Sequence, residues 1–193
     1  MNRRILLAGL FAATWMGVGP AAAQTTVEGV RFENALEMAG LKLQLNGVGV
    51  RQRFMVGVYA AGLYVPQKSS DAAQLATQRG PKRVALRFLR DVDSDLFVAS
   101  LQNGLKSNHS EEQLALWREQ VESLTATIRT IALARRGDSV TFDFNPAEGI
   151  RVTVNGATRG PIIQGEDFYS AVLRVWIGSK PADEGLKKGI LGA

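Results

Sequence analysis

The sequence predicts an α+β fold, in which a large antiparallel sheet is covered by a layer of helices. Segments that alternate apolar and polar residues, as strands do, cluster in residues 25–65 and 139–163. Segments with apolar residues at intervals of three and four, as in helices, cluster in residues 93–131 and 166–177. Strands and helices that are segregated along the chain indicate an antiparallel sheet, because a parallel sheet requires them to alternate.

The first 23 residues are expected to be a secretory signal peptide. Two arginines supply a cationic start, residues 5–18 form an apolar run, and the small residues Ala21 and Ala23 precede the expected cleavage site. The apolar run is shorter than the ~20 residues that span a membrane, and we expect no transmembrane segment in the mature chain. We therefore predict an exported, periplasmic protein with a single domain over residues 24–193.

The first half of the chain is predicted to be mainly strand. Asp71 is suited to cap a short helix that ends before Gly80-Pro81. In the strand that follows, Val84, Leu86 and Phe88 share one face. The predicted elements of this half are strands at 25–32, 41–45 and 82–90, one or two strands over 48–65, and a helix at 72–77.

The second half is predicted to contain most of the helices. One helix begins at Asp93 and runs to about Lys106. A capping box at Ser110 opens the next, which continues to Ile131 with Trp117 on its core side. Asn155-Gly156 is a strong hairpin signal. The remaining predicted elements are strands at 139–144, 150–154 and 158–163, a helix at 166–177, and a short helix opened by Pro181.

The composition excludes several kinds of site. The chain has no cysteine, which rules out disulfides, thiolate metal sites and a cysteine nucleophile. Its single histidine, His109, lies in a polar segment that is predicted to be an exposed turn between helices. We expect no metal and no cofactor. The net charge of +5 comes from scattered basic residues, so nucleic acid is not an expected partner.

Familiar catalytic motifs are missing. Gly47-Val-Gly49 lacks the later glycine and the Gly-Lys-Ser/Thr ending of a phosphate-binding loop, and there is no Gly-x-Ser-x-Gly elbow. Asp91, Asp93 and Asp95 lie where helix capping accounts for them.

Arg51 is the residue of greatest interest. It lies in a β-rich segment, residues 45–65, whose glycines remove side-chain bulk where another backbone or a ligand can approach. Its guanidinium either extends to solvent or offers a planar fork to an anion inside a pocket. Tyr59 lies eight residues further on, so the two side chains share a face if the strand between them is unbroken.

Four segments of the chain have a characteristic order and spacing: GVGVR at 47–51, VYAAGLYV at 58–65, FYSAVLRVWIG at 168–178 with Pro181 after it, and LKKGILG at 186–192. Together they resemble the chalcone isomerase-like family, in particular its exported bacterial branch. The resemblance covers nearly the whole chain after the leader. It implies that family's open-faced β-sandwich, in which a large antiparallel sheet and a layer of helices enclose a cleft.

The resemblance also implies a ligand site of five residues. The family's cleft arginine, which holds an oxyanion in true isomerases and a carboxylate in the fatty-acid-binding branch, matches Arg51. A strand threonine matches Tyr59, whose hydroxyl can still donate, and a helix asparagine matches Asn103. A cleft tyrosine and a helix threonine of the isomerase match Leu96 and Val175. Two hydroxyl donors of the isomerase are therefore missing, which disfavours that reaction.

Three functions follow from these observations. The leading hypothesis is a periplasmic, non-catalytic protein that binds a fatty acid or a similar amphiphilic carboxylate in an apolar cleft, with Arg51 at the head group and Tyr59 assisting. The first alternative is an intramolecular lyase of chalcone isomerase type, with Arg51 stabilising the oxyanion. The second is a cell-envelope interaction module whose cleft is vestigial. The sequence does not identify a protein partner.

Overall fold

The computed structural model of the chain describes residues 23–192. The predicted signal peptide lies outside the described residues, apart from Ala23. The strands are β1 (Gln24–Val27), β2 (Val30–Glu33), β3 (Ala35–Met38), β4 (Leu41–Arg53), β5 (Val56–Val65), β6 (Lys82–Phe88), β7 (Val92–Asp93), β8 (Leu133–Ala134), β9 (Ser139–Asn145), β10 (Gly149–Val154) and β11 (Ala157–Ile163). The helices are α1 (Ala72–Thr77), α2 (Ser94–Asn108), α3 (Glu111–Leu116), α4 (Arg118–Arg129), α5 (Glu166–Ile177) and α6 (Glu184–Leu191).

The main sheet has seven strands in the order β11-β10-β9-β6-β5-β4-β3. Each pair of neighbours in it is antiparallel. The predicted α+β class with a large antiparallel sheet is therefore confirmed. The predicted turn at Asn155-Gly156 is confirmed too, with positive φ angles of 51° and 82° that suit a tight hairpin.

The two faces of the sheet are covered unequally. One face packs against α2, α5 and α6 and holds the larger apolar core, which includes Leu63, Leu86, Phe142 and Trp176. The opposite face holds a smaller cluster around Tyr64, to which the β1–β2 hairpin contributes. A sheet with a helical layer on one side and a partial cover on the other has the open-faced arrangement that was expected.

Two glycines let α6 lie directly on β4. A Cβ at Gly47 would lie 2.3 Å from the carbonyl oxygen of Gly189, and a Cβ at Gly49 would lie 2.4 Å from that of Leu186. Any side chain at these positions would force the helix away from the strand. The sequence indicated that these glycines make room for either a neighbouring backbone or a ligand. In the structure they make room for the backbone of α6. Arg51, two residues further along the same face, lies beyond the start of α6.

Two helices have bounds in the structure that differ from those predicted from the sequence. The helix expected from Ser110 to Ile131 is broken at Trp117, whose φ of −104° and ψ of 16° separate α3 from α4. The indole Nε1 of Trp117 donates to Asp167 at 2.8 Å, a tertiary contact that the apolar spacing does not reveal. The last helix begins at Glu184 and not at Pro181, because Asp183 caps it through the Leu186 N–H.

The prediction that His109 lies in an exposed turn is wrong. Its side chain is buried, with Nε2 3.3 Å from the Ala171 carbonyl oxygen and its ring edge-on to Trp117. His109 directly follows α2, at the place where α2 packs against α5. The polar residues around it in the sequence do not reveal this packing. Burial is the main cause that lowers the pKa of His109 below its usual value.

Candidate ligand-binding cleft

An open cleft of about 710 Å³ lies between α2, the β4–β5 hairpin and residues 180–182. Four cationic side chains and one carboxylate line it, together with apolar and small polar residues. The lining residues are Arg51, Arg53, Phe54, Val58, Tyr59, Arg90, Asp91, Val92, Leu96, Phe97, Ala99, Ser100, Asn103, Gly104, Ser107, Lys180, Pro181 and Ala182. The surplus of positive charge and the apolar base suit an amphiphilic anion.

Arg51 and Tyr59 lie side by side at one end of the cleft. They are directly opposed partners in the β4–β5 ladder, and the guanidinium carbon lies 5.7 Å from the centre of the phenol ring. The chain turns between them at Phe54-Met55, so the unbroken strand that the spacing argument required is not present. The two side chains share a face because they are cross-strand neighbours.

The Arg51 guanidinium has unused hydrogen-bonding capacity. Its Nε is buried and forms no hydrogen bond, and no carboxylate oxygen within residues 23–192 lies within 4.0 Å of the group. The nearby Asp183 accepts bonds from the backbone N–H groups of Gln52 and Leu186. A buried donor without a partner is costly, and an anion in the cleft would satisfy it.

Tyr59 presents a neutral hydroxyl at the base of the cleft. The side chain is only 2% exposed, and its oxygen accepts a hydrogen bond from Trp176 Nε1 at 3.0 Å. Burial raises the pKa of Tyr59, against the opposing effect of the Arg51 charge and the Trp176 hydrogen bond. Its own proton forms no hydrogen bond in the part of the chain described, so the hydroxyl retains one unused donor.

Helix α2 supplies a polar wall. Leu96, Ser100, Asn103 and Ser107 recur at intervals of four and three, which is the spacing of one helix face, and all four line the cleft. Leu96 and Asn103 were predicted from the sequence. The two serines were not, although their helical spacing from Asn103 could have revealed them.

The opposite wall, residues 180–182, is held in place by α2. Asn108 Nδ2 donates to the Lys180 carbonyl oxygen at 2.7 Å, and the Lys180 N–H donates to Asn108 Oδ1 at 3.0 Å. Neither Asn108 nor Lys180 carries a sequence motif, because the pair depends on two segments 72 residues apart.

Val175 does not line the cleft. The resemblance included it in the ligand site, but its side chain is 3% exposed and packs behind α2 against Gly104, where a Cβ would lie 2.6 Å from Val175 Cγ1. The other four predicted site residues, Arg51, Tyr59, Leu96 and Asn103, do line it. Leu96 is 60% exposed and therefore lies at the rim.

Comparison with known proteins agrees with this architecture. A family model described as chalcone isomerase-like matches residues 23–192. Among solved structures, a fatty-acid binding protein from Arabidopsis thaliana has the same fold, with a TM-score of 0.67 and 16% sequence identity over 88% of this chain and 96% of that chain. No curated protein sequence gives a significant match. The family match extends over the whole described range, and the chain belongs to the chalcone isomerase-like family.

Proposed function

We propose that this protein binds a fatty acid or a similar amphiphilic carboxylate in the cleft, without catalysing a reaction on it. The observation that carries the proposal is the partly buried guanidinium of Arg51 above the Tyr59 ring, whose Nε has no hydrogen-bond partner and which has no carboxylate partner within residues 23–192. A carboxylate accepts hydrogen bonds from both groups, because Arg51 offers a planar set of donors and Tyr59 a neutral hydroxyl.

The remainder of the cleft suits the tail of such a ligand. Val58 and Phe97 lie at its base and Leu96 at its rim. The volume of about 710 Å³ falls within the usual range for small-molecule sites, about 300 to 1,000 Å³. This open volume also argues against a vestigial cleft that is filled by the protein's own side chains.

The isomerase alternative is less well supported. Cyclisation of a chalcone needs fixed donors for the developing enolate, and removal of one such donor typically costs about 2.7 to 4 kcal/mol. By the family resemblance, two hydroxyls of the isomerase correspond here to Leu96 and Val175, which have none. Loss of the chalcone absorbance band at a rate above the buffer control would contradict a purely binding role.

The head-group interaction is tested with a pair of ligands that share one tail. The full chain is titrated by calorimetry with a monomeric long-chain fatty acid and with the alcohol of equal length. We expect the acid to bind about 10- to 100-fold more tightly, as a charge-assisted hydrogen bond of about 1.5 to 3 kcal/mol predicts. In Arg51→Met this preference should disappear while alcohol binding persists.

A matched control and two outcomes complete this test. Arg159→Met removes an exposed arginine from β11, outside the cleft lining, and should leave the preference unchanged. Failure of the wild-type chain to bind either ligand would remove the proposal. An unchanged acid preference in Arg51→Met would remove the role of Arg51.

We also propose that the protein acts in the periplasm, on the basis of the leader-like first 23 residues. Mass spectrometry of the protein recovered from fractionated cells tests this part. We expect a chain that begins at Gln24 in the periplasmic fraction. An uncleaved chain in the cytoplasmic fraction would contradict export and leave the binding proposal intact.

A further inference from the structure

The tip of the β4–β5 hairpin carries two large apolar side chains that are almost fully exposed. Phe54 and Met55 are 88% and 93% exposed. They are also the two turn residues, with φ angles of 52° and 63° in the left-handed region. Glycine, asparagine or aspartate usually occupies such positions, because larger side chains are strained there.

The other two-residue turns of the described chain follow that rule at their second residue. Each has glycine as its second residue: Glu28-Gly29, Ala39-Gly40 and Asn155-Gly156. Phe54-Met55 is the exception, and it combines backbone strain with exposed apolar surface. Strain that is retained at an exposed position indicates that the side chains themselves have a role.

Cationic side chains accompany the tip. The Arg53 guanidinium carbon lies 5.4 Å from the centre of the Phe54 ring. Both residues line the cleft, as do Arg90 and Lys180. The one carboxylate in the lining, Asp91, accepts a backbone hydrogen bond at 2.8 Å. A second carboxylate, Asp183, accepts from the Gln52 N–H beside the hairpin. The four cations of the lining still exceed these two carboxylates, and the surplus of positive charge is complementary to an anionic surface.

We propose that the Phe54-Met55 tip inserts into the interface of an anionic phospholipid bilayer, with Arg53, Arg90 and Lys180 facing the lipid phosphates. Apolar side chains at headgroup depth and cations beside them are the two contributions by which peripheral proteins bind such membranes. A protein partner fits less well, because two protruding side chains cannot supply the ~1,000 Å² that a specific protein interface buries.

The location of the tip connects membrane binding with the cleft. Phe54 lines the cleft and forms part of the tip, so insertion would bring the opening of the cleft to the bilayer surface. An amphiphilic ligand could then pass between lipid and protein without crossing water. This last step rests on the proposed function, whereas insertion of the tip does not.

A tryptophan at the tip tests insertion directly. The full-length Phe54→Trp variant is titrated with vesicles of equal parts phosphatidylglycerol and phosphatidylcholine, and the wild-type signal is subtracted. We expect an emission shift to shorter wavelength and quenching by brominated lipid. Leu116→Trp is the matched control, because Leu116 is 77% exposed on α3 and outside the cleft lining. Its emission should not change.

The cations are tested in the same assay. Arg53→Gln and Arg90→Gln, each combined with Phe54→Trp, should lower the apparent partition coefficient by about fivefold each, and added salt should weaken binding further.

Several results would overturn the proposal. They are an unchanged emission at position 54, an equal shift at position 116, or an equal response to vesicles of phosphatidylcholine alone. A shift that needs no vesicles and grows with protein concentration would assign the tip to contact with a second copy of the chain. The vesicle assay contains no fatty acid and the acid and alcohol titration contains no vesicles, so the two proposals fail separately.

Discussion

Replacement of Gly189 in α6 by alanine is expected to destabilise the protein, although the same change would stabilise an isolated helix. A Cβ at position 189 would lie 2.3 Å from the carbonyl oxygen of Val48 and 2.8 Å from the Cα of Gly49. Carbon atoms in contact prefer separations of about 3.5 to 4.0 Å. The helix would therefore have to move away from β4 by roughly 1 Å.

The expected cost follows from that displacement. Leu186 and Ile190, both fully buried, would lose part of their contacts with the sheet. Overpacking of this kind typically costs about 1 to 3 kcal/mol, whereas exchange of glycine for alanine inside a helix contributes about 1 kcal/mol in the opposite direction. We expect a net loss of up to about 2 kcal/mol in the free energy of unfolding.

Urea denaturation of Gly189→Ala and Gly185→Ala measures this difference. Gly185 lies in the same helix, and a Cβ there would meet only the Asp183 carboxylate, at 3.2 Å. Gly185→Ala should therefore be neutral, or more stable by up to about 1 kcal/mol. A Gly189→Ala protein that is more stable than the wild type, as helix propensity alone predicts, with an unchanged slope against urea, would refute the inferred contact between helix and strand.

Three further predictions concern buried polar groups. The pKa of His109 is lowered in the folded state, so the contribution of His109 to stability is complete above its unfolded pKa of about 6.5 and is lost as the pH falls toward the folded pKa. His109→Gln should remove this part of the pH dependence of the free energy of unfolding. An unchanged pH dependence would contradict the prediction. Lys82 is fully buried and donates to the Gln78 carbonyl oxygen. In urea denaturation we expect the free energy of unfolding of Lys82→Met to stay within about 1 kcal/mol of the wild type and that of Lys82→Ala to fall by about 2 to 5 kcal/mol. Equal losses in the two variants would contradict this prediction. Tyr59→Phe leaves Trp176 Nε1 without its acceptor, so we expect thermal denaturation to show a stability loss of about 1 to 3 kcal/mol. Titration should show weaker binding of the fatty acid. Unchanged stability and unchanged binding would contradict both roles of the hydroxyl.

Local sequence patterns correctly predicted those helices and strands whose ends are set by residues nearby in the sequence. The helix at 166–177 has the expected bounds, and the helix at 72–77 is capped by Asp71 as expected. The Asn155-Gly156 hairpin also forms where its turn residues indicated. Caps, turn residues and apolar periodicity act over a few residues, so they can be identified without knowledge of the fold.

The break at Trp117 and the burial of His109 could not be identified in this way. Trp117 donates to Asp167, 50 residues further along the chain, and His109 contacts Ala171, 62 residues away. Periodicity describes one helix face but not the partner that packs against it. The position of the turn at Phe54-Met55 was not predicted for a different reason, because neither residue is a usual turn former.

By itself, the sequence determined the α+β class with its antiparallel sheet, most of the helices, and the choice of Arg51 as the residue of interest. Only the tertiary structure decided what Arg51 faces. The β4–β5 ladder sets Tyr59 beside it, α6 lies on the glycines that precede it, and α2 closes the cleft around it. Each of these relations is a contact between segments that are distant in sequence, and such contacts form only when the apolar faces of the sheet and the helices are buried together.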